Sequence, residues 1–226
     1  MAHHNQRRSF IASLGSLAAL AIFSDNGVAR AEAMEPGPQK DGKWDLSWIE
    51  PLKGKHRQVF DFGSRDLSAG GNPLRVPRNY MNAHNTVYGL ADGDLSTIVG
   101  IAGSAFAMNA SDRLWKDYAL GEHFHIKDPA TGRWAERNFF VDAPTGSSST
   151  PPTASIQILV ARGTIFWQCN NALNGNADEL AQKTGKNQVE VRADLVAGLN
   201  PWVRLVPAHT MLLGLVQERG FTYEKL

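Results

Sequence analysis

The only thiol in the chain, Cys169, follows the run Thr164-Ile165-Phe166-Trp167 and precedes Asn170 and Asn171. Four β-favouring residues after Gly163, then the polar run beginning at Gln168, predict a short buried strand that ends at the thiol and turns into a loop. Ligands of open α/β sheets gather at the carboxyl ends of strands. A thiol there is a candidate nucleophile, able to carry a persulfide or form a mixed disulfide. The plainer alternative is a packed core residue, because free cysteine is among the most buried residue types. A lone cysteine excludes an intramolecular disulfide and any metal site made of cysteine alone. A helix start after the thiol would stabilise a thiolate, although Asn170 to Asn174 include no cationic side chain.

Other residues offer weaker chemistry. His123 and His125, spaced His-x-His, would share one face of a strand and could hold a metal; no further ligands cluster beside them in sequence, so hairpin surface residues are the plainer reading. His209 follows Val206-Pro207-Ala208 at the start of a helix near a strand exit, from which it could approach Cys169 across the sheet. Gly103 and Ser104 stand at the exit of a neighbouring strand and, with Asn170, Asn171 and His209, are the expected lining of a pocket around Cys169. His84 lies on an apolar helix face and reads as a core or interface histidine, while Asp92 and Asp94 serve a turn. Neither a Gly-x-Gly-x-x-Gly nor a Gly-Lys-Ser/Thr pattern is present, and there is no Gly-x-Ser-x-Gly elbow, so nucleotide binding and serine-hydrolase chemistry are not indicated. No cofactor is expected.

The elements that must position these residues alternate. Strands are predicted over 56–63, 95–102, 164–167, 202–206 and 221–225. Helices are predicted over 78–90, with Tyr80, Met81, His84, Val87, Tyr88 and Ala91 on one face, and over 104–118, 176–184, 187–199 and 208–219. Asn176/Glu179 and Asn187/Glu190 read as capping-box variants. The segment 154–162 stays ambiguous: Ile156, Ile158 and Val160 alternate as in a strand, whereas Thr153 and Gly163 suit a helix's two ends. An insert over 121–153 reads as a β-hairpin followed by a Pro/Ser/Thr-rich link. Five strands alternating with helices imply one α/β domain with a mostly parallel sheet.

The N-terminal region differs. Asn5-Gln6-Arg7-Arg8-Ser9-Phe10-Ile11, an apolar stretch from Ile11 to Phe23, and small-x-small sites at Ala29-Arg30-Ala31 and Ala31-Glu32-Ala33 make a twin-arginine export signal over 1–33. The apolar stretch is shorter than the roughly 20 residues of a membrane-spanning helix, so cleavage and release into the periplasm are expected, with no stable membrane insertion afterwards. An extended arm over 34–55, carrying Trp44 and Trp48, would pack on the domain that fills 56–226. The 226 residues are 42% hydrophobic and 20% charged, enough for one sizeable core. Removing Arg7, Arg8 and Arg30 with Asp25 and Glu32 cancels the net charge of +1, which gives no electrostatic case for nucleic acid or anionic membrane.

The run Arg162-Gly163 to Phe166, Cys169-Asn170-Asn171-Ala172-Leu173, then Val206-Pro207-Ala208 and the ending Gln217-Glu218-Arg219-Gly220-Phe221-Thr222-Tyr223, resembles the DsrE-like proteins. Within them it resembles a group of exported members with twin-arginine leaders. The resemblance covers about 59–225, and its specific part is the pairing of the Cys strand with the Val-Pro-to-Gly-Phe ending. It implies a three-layer α/β/α domain with a five-stranded, largely parallel sheet, and a homo-oligomer. It also implies that Cys169, matching the strand-exit cysteine, carries a persulfide between a sulfur donor and an acceptor protein. The insert over 121–153 and the export signal depart from the relay members, which hold their cysteine in other local contexts. The rival expectation is a non-catalytic oligomeric binding or assembly module in which Cys169 only packs.

Overall fold

The computed structural model describes residues 43–63, 65–142 and 154–226. The expected leader, the first part of the arm and most of the Pro/Ser/Thr link lie outside these residues. Five strands, β1 (His56–Phe62), β2 (Leu95–Ile101), β3 (Ile165–Cys169), β4 (Val203–Val206) and β5 (Thr222–Lys225), form one sheet in the order β4-β3-β2-β1-β5. Every pairing is parallel. The helices are α1 (Arg75–Tyr88), α2 (Asp112–Asp117), α3 (Leu120–His123), α4 (Ile156–Ala161), α5 (Asn170–Thr184), α6 (Gln188–Ala197) and α7 (His209–Glu218).

Strand order and handedness distribute the helices. The chain steps from β1 through β4 in one direction, and right-handed crossovers put all the intervening helices on one face. The return from β4 to β5 runs the other way, so α7 must lie on the opposite face. The cores follow this division. Phe60, Phe62, Val99, Ile101, Phe166 and Leu205 face Met81, Leu173, Leu180 and Leu195 from α1, α5 and α6. Val59, Ile98, Trp167 and Val206 face Leu212 and Val216 of α7, with Trp48 and Ile49 of the arm beside them. This is a three-layer α/β/α fold. β2 takes the centre, and all seven of its residues are buried. Its polar members are satisfied locally: Thr97 Oγ1 lies 2.7 Å from Thr164 Oγ1, and Ser96 Oγ accepts the Gly54 N–H at 2.9 Å.

Several elements differ from the pattern-based expectation. α1 starts three residues early and buries Pro77 and Met81, while Val87 and Tyr88 of the expected apolar face are 70% and 64% exposed. Pro77 sits within the first turn, where its missing N–H costs nothing. The helix expected over 104–118 is broken into a 3-10 segment (Gly103–Met108) and α2. The break falls at Asn109, whose buried amide donates to Trp167 O and Gln168 Oε1 (both 3.1 Å) and so ties this turn to the end of β3. The ambiguous segment is helical, with Ser155 Oγ capping the Ile158 N–H. The expected hairpin shrinks to a single bridge, Lys127 with Trp134, around a turn closed by Asp128; His123 ends a helix instead of lying in a strand. Among the described residues no helix is long and apolar enough to cross a membrane.

Candidate functional site

The chain leaves β3 toward one face of the sheet and β4 toward the other. These neighbouring strands therefore diverge at their carboxyl ends, which is where open α/β sheets form ligand crevices. Cys169 is the last residue of β3 and lies in register with Val206, the last of β4. No loop follows the thiol, contrary to expectation: Cys169 is itself the N-cap of α5, and its Sγ accepts the Ala172 N–H at 3.4 Å. Sγ also accepts the His209 N–H at 3.2 Å, from the first residue of α7. Ala208, the N-cap of α7, has no side chain able to cap. One sulfur thus caps two helices that lie on opposite faces, and negative charge on it would meet two amide donors and the positive ends of both helix dipoles.

His209 meets the thiol through its backbone, while its ring is engaged elsewhere. Trp167 Nε1–H donates to Nδ1 at 3.0 Å, and Nε2 lies 2.6 Å from Asp61 Oδ1. An indole N–H can only donate, so Nδ1 must present a lone pair; the neutral ring then carries its proton on Nε2 and donates it to Asp61. Asp61, at the end of β1, also accepts the Gly63 N–H (2.7 Å) and the Tyr223 hydroxyl (2.7 Å). Burial works to raise its carboxyl, but the bonds from Tyr223, Gly63 and His209 outweigh that and hold it below the ordinary 3.8. In turn the Asp61 bond raises the Tyr223 phenol above its usual 10.0. Two glycines make room for this chain. A Cβ on Gly100 would stand 2.6 Å from the Trp167 ring and 3.0 Å from His209 Cε1; one on Gly63 would stand 2.5 Å from His209 Nε2.

Cys169 is 5% exposed and opens onto a cleft of about 430 Å³, whose wall includes Asp61, Asn171, His209, Thr210 and Lys225. Two larger clefts, one of about 820 Å³ along Lys127–Arg137 and one of about 620 Å³ between Leu67, Asn72, Trp134 and Phe140, do not reach the thiol. Of the residues singled out in the sequence, Cys169, Asn171 and His209 meet in the smaller cleft. Asn170 turns to Arg192, whose Nη2 donates to its Oδ1 at 2.7 Å. Gly103 and Ser104 do not line the cleft; Ala102 takes the place at the β2 exit, and Gly103 O accepts a bond from Asn176. His123 lies 3.4 Å from Glu179, and His125 adopts a left-handed φ of 55° beside Trp134, so the pair does not converge. Among the described residues no group of three or more metal-binding side chains occurs.

Sequence reasoning missed Asp61, Tyr223 and Trp167. The available signal was Asp61, one acid inside the otherwise apolar end of a strand, Val59-Phe60-Asp61-Phe62, which demands partners once buried. The chain matches no family model and no curated protein.

Proposed function

We propose that the protein is a DsrE-like sulfur carrier, exported folded by the twin-arginine translocase to the periplasm, that holds sulfane sulfur on Cys169. The observation that carries this reading is the convergence of two helix-start amides on a single thiol beside an open cleft at the switch point of the sheet. In the transfer step, the Cys169 thiol gives its proton to water and the thiolate attacks the outer sulfur of a donor persulfide. A sulfur–sulfur bond forms on Cys169 as the donor's bond breaks, and the donor leaves as a thiolate. An acceptor thiolate then attacks the outer sulfur on Cys169 and restores it. No oxidant or reductant is consumed. A homo-oligomer and separate donor and acceptor proteins belong to the same proposal.

Incubation of the folded protein with polysulfide, read by intact mass, tests it. The expected result is a discrete gain of one sulfur atom, removed by a thiol reductant and absent in Cys169→Ser. Absence of the adduct in the wild-type protein, with Cys169 alkylated only after denaturation, overturns the carrier reading. The burial of Cys169 favours the second reading in that case: a non-catalytic oligomeric module in which the sulfur serves only as a double helix cap.

A further inference from the structure

We propose that His209 is a positioning residue for Cys169, acting through its backbone amide while its ring serves as a fixed strut between Trp167 and Asp61. The proposal rests on the carrier reading for its functional meaning, but its geometry is independent of sulfur chemistry. Three observations carry it. Both ring nitrogens are occupied, Nδ1 by the Trp167 indole and Nε2 by the Asp61 carboxylate. His209 is 7% exposed, and its ring lies over Gly100 and Gly63, where a Cβ at either position would intrude on it. The one hydrogen bond from His209 to the sulfur runs from its main chain.

A histidine serving as general base needs a free lone pair within reach of the proton it takes. Here the lone pair on Nδ1 is already used by an N–H that has no alternative role, and protonating it would set N–H against N–H. The strut has a different consequence. It anchors the first residue of α7 to β3 through Trp167 and to β1 through Asp61, and Tyr223 of β5 holds Asp61 from the far side. Three strands therefore fix where the His209 amide points. The thiolate that attacks sulfane sulfur is stabilised by that amide, and the ring takes no proton from it.

The test combines ring NMR with thiol kinetics on the whole protein. Long-range ¹H–¹⁵N spectra are expected to show His209 as the neutral Nε2–H tautomer at neutral pH, with the Nδ1 signal shifting in Trp167→Phe. Iodoacetamide alkylation of Cys169 is expected to slow by about tenfold in His209→Ala, the equivalent of one hydrogen bond. His209→Gln, which keeps a donor for Asp61 but no basic nitrogen, is expected to recover most of that rate with an unchanged pH profile. Should His209→Ala fail to fold, the Gln variant and the ring spectra still decide. A fall of about a hundredfold or more in His209→Gln, with one limb of the pH profile lost, would make the ring a general base and overturn the proposal. Equal alkylation rates in all variants, or a ring protonated on Nδ1, overturn it as well. Failure of the carrier reading is separate: wild-type protein would then take up no sulfur from polysulfide and leave Cys169 unalkylated until denatured, while the ring signals still follow the pattern above.

Discussion

At the scale of single residues, the site depends on two glycines as much as on its polar groups. Gly100 has an ordinary place in β2, yet its missing Cβ leaves the space taken by the Trp167 and His209 rings. Gly100→Ala should therefore destabilise the protein by about 1–3 kcal/mol, as overpacking does in close-packed interiors. Urea unfolding measures this, and the same variant should disturb the Trp167 indole N–H resonance; an unchanged midpoint and resonance would show that the two rings have room to shift. The thiol was legible in the sequence because strand propensity and chain polarity change on either side of it. Its partners were not. Asp61, Trp167 and Tyr223 lie on three different strands, and no local pattern records that the sheet order places them in one chain of hydrogen bonds. The expectation of Gly103 and Ser104 in the pocket failed for a related reason: a strand's exit is predictable from sequence, but which backbone atoms of that exit face the cleft depends on the neighbouring strand.

At the scale of elements, the parallel strands were the most readable part, since buried runs such as Leu95–Ile101 have no other comfortable home. Helix boundaries were read less well. α5 was expected to begin at Asn176, but it begins six residues earlier because Cys169 rather than an asparagine caps it, a role for which sulfur gives no sequence warning. Asn176 is instead buried inside the helix and donates to Gly103 O at 3.1 Å. The Arg162-Gly163 pair also gains a structural meaning. Arg162 forks onto both oxygens of Asp92 at 2.9 Å and reaches Asn82 and Asn85, tying the end of α4 to α1 and to the turn before β2. Gly163, at φ 91°, then lets the chain enter β3. Arg162→Ala should lower stability by about 1–3 kcal/mol through these lost charge-assisted bonds. Arg162→Lys should recover little of it, because an ammonium cannot make the planar fork. Matched urea midpoints for wild type and Arg162→Lys would contradict this account.

At the scale of the whole molecule, stability should decline in two stages as the solution is acidified. Burial, helped by the neighbouring His56, holds His84 below its ordinary 6.5, and burial with Lys183 does the same to His123. Between 6.5 and those lower values the unfolded chain binds more protons than the folded one, so stability falls as pH drops. The bonds from Arg162 hold Asp92 below 3.8, and Asp61 lies below it too, so their contribution is complete above 3.8 and is lost as pH falls through the folded values. Urea midpoints measured from pH 7 to pH 3 should show both declines, and His84→Gln should flatten the first; a flat profile down to pH 4 would contradict the assignment. The strand order has one more consequence, and it concerns time. β5 pairs with β1, with Val59 beside Tyr223 in the ladder, so β1 waits for a strand made much later in the chain. Until then β1 has an open edge, a template for unwanted pairing, and Asp61 lacks its tyrosine. Long-range closures of this kind are slow. A chain in which β5 has yet to dock would therefore carry its thiol on an unfinished cleft, without Lys225 in its wall, and docking of that strand becomes the event that completes it.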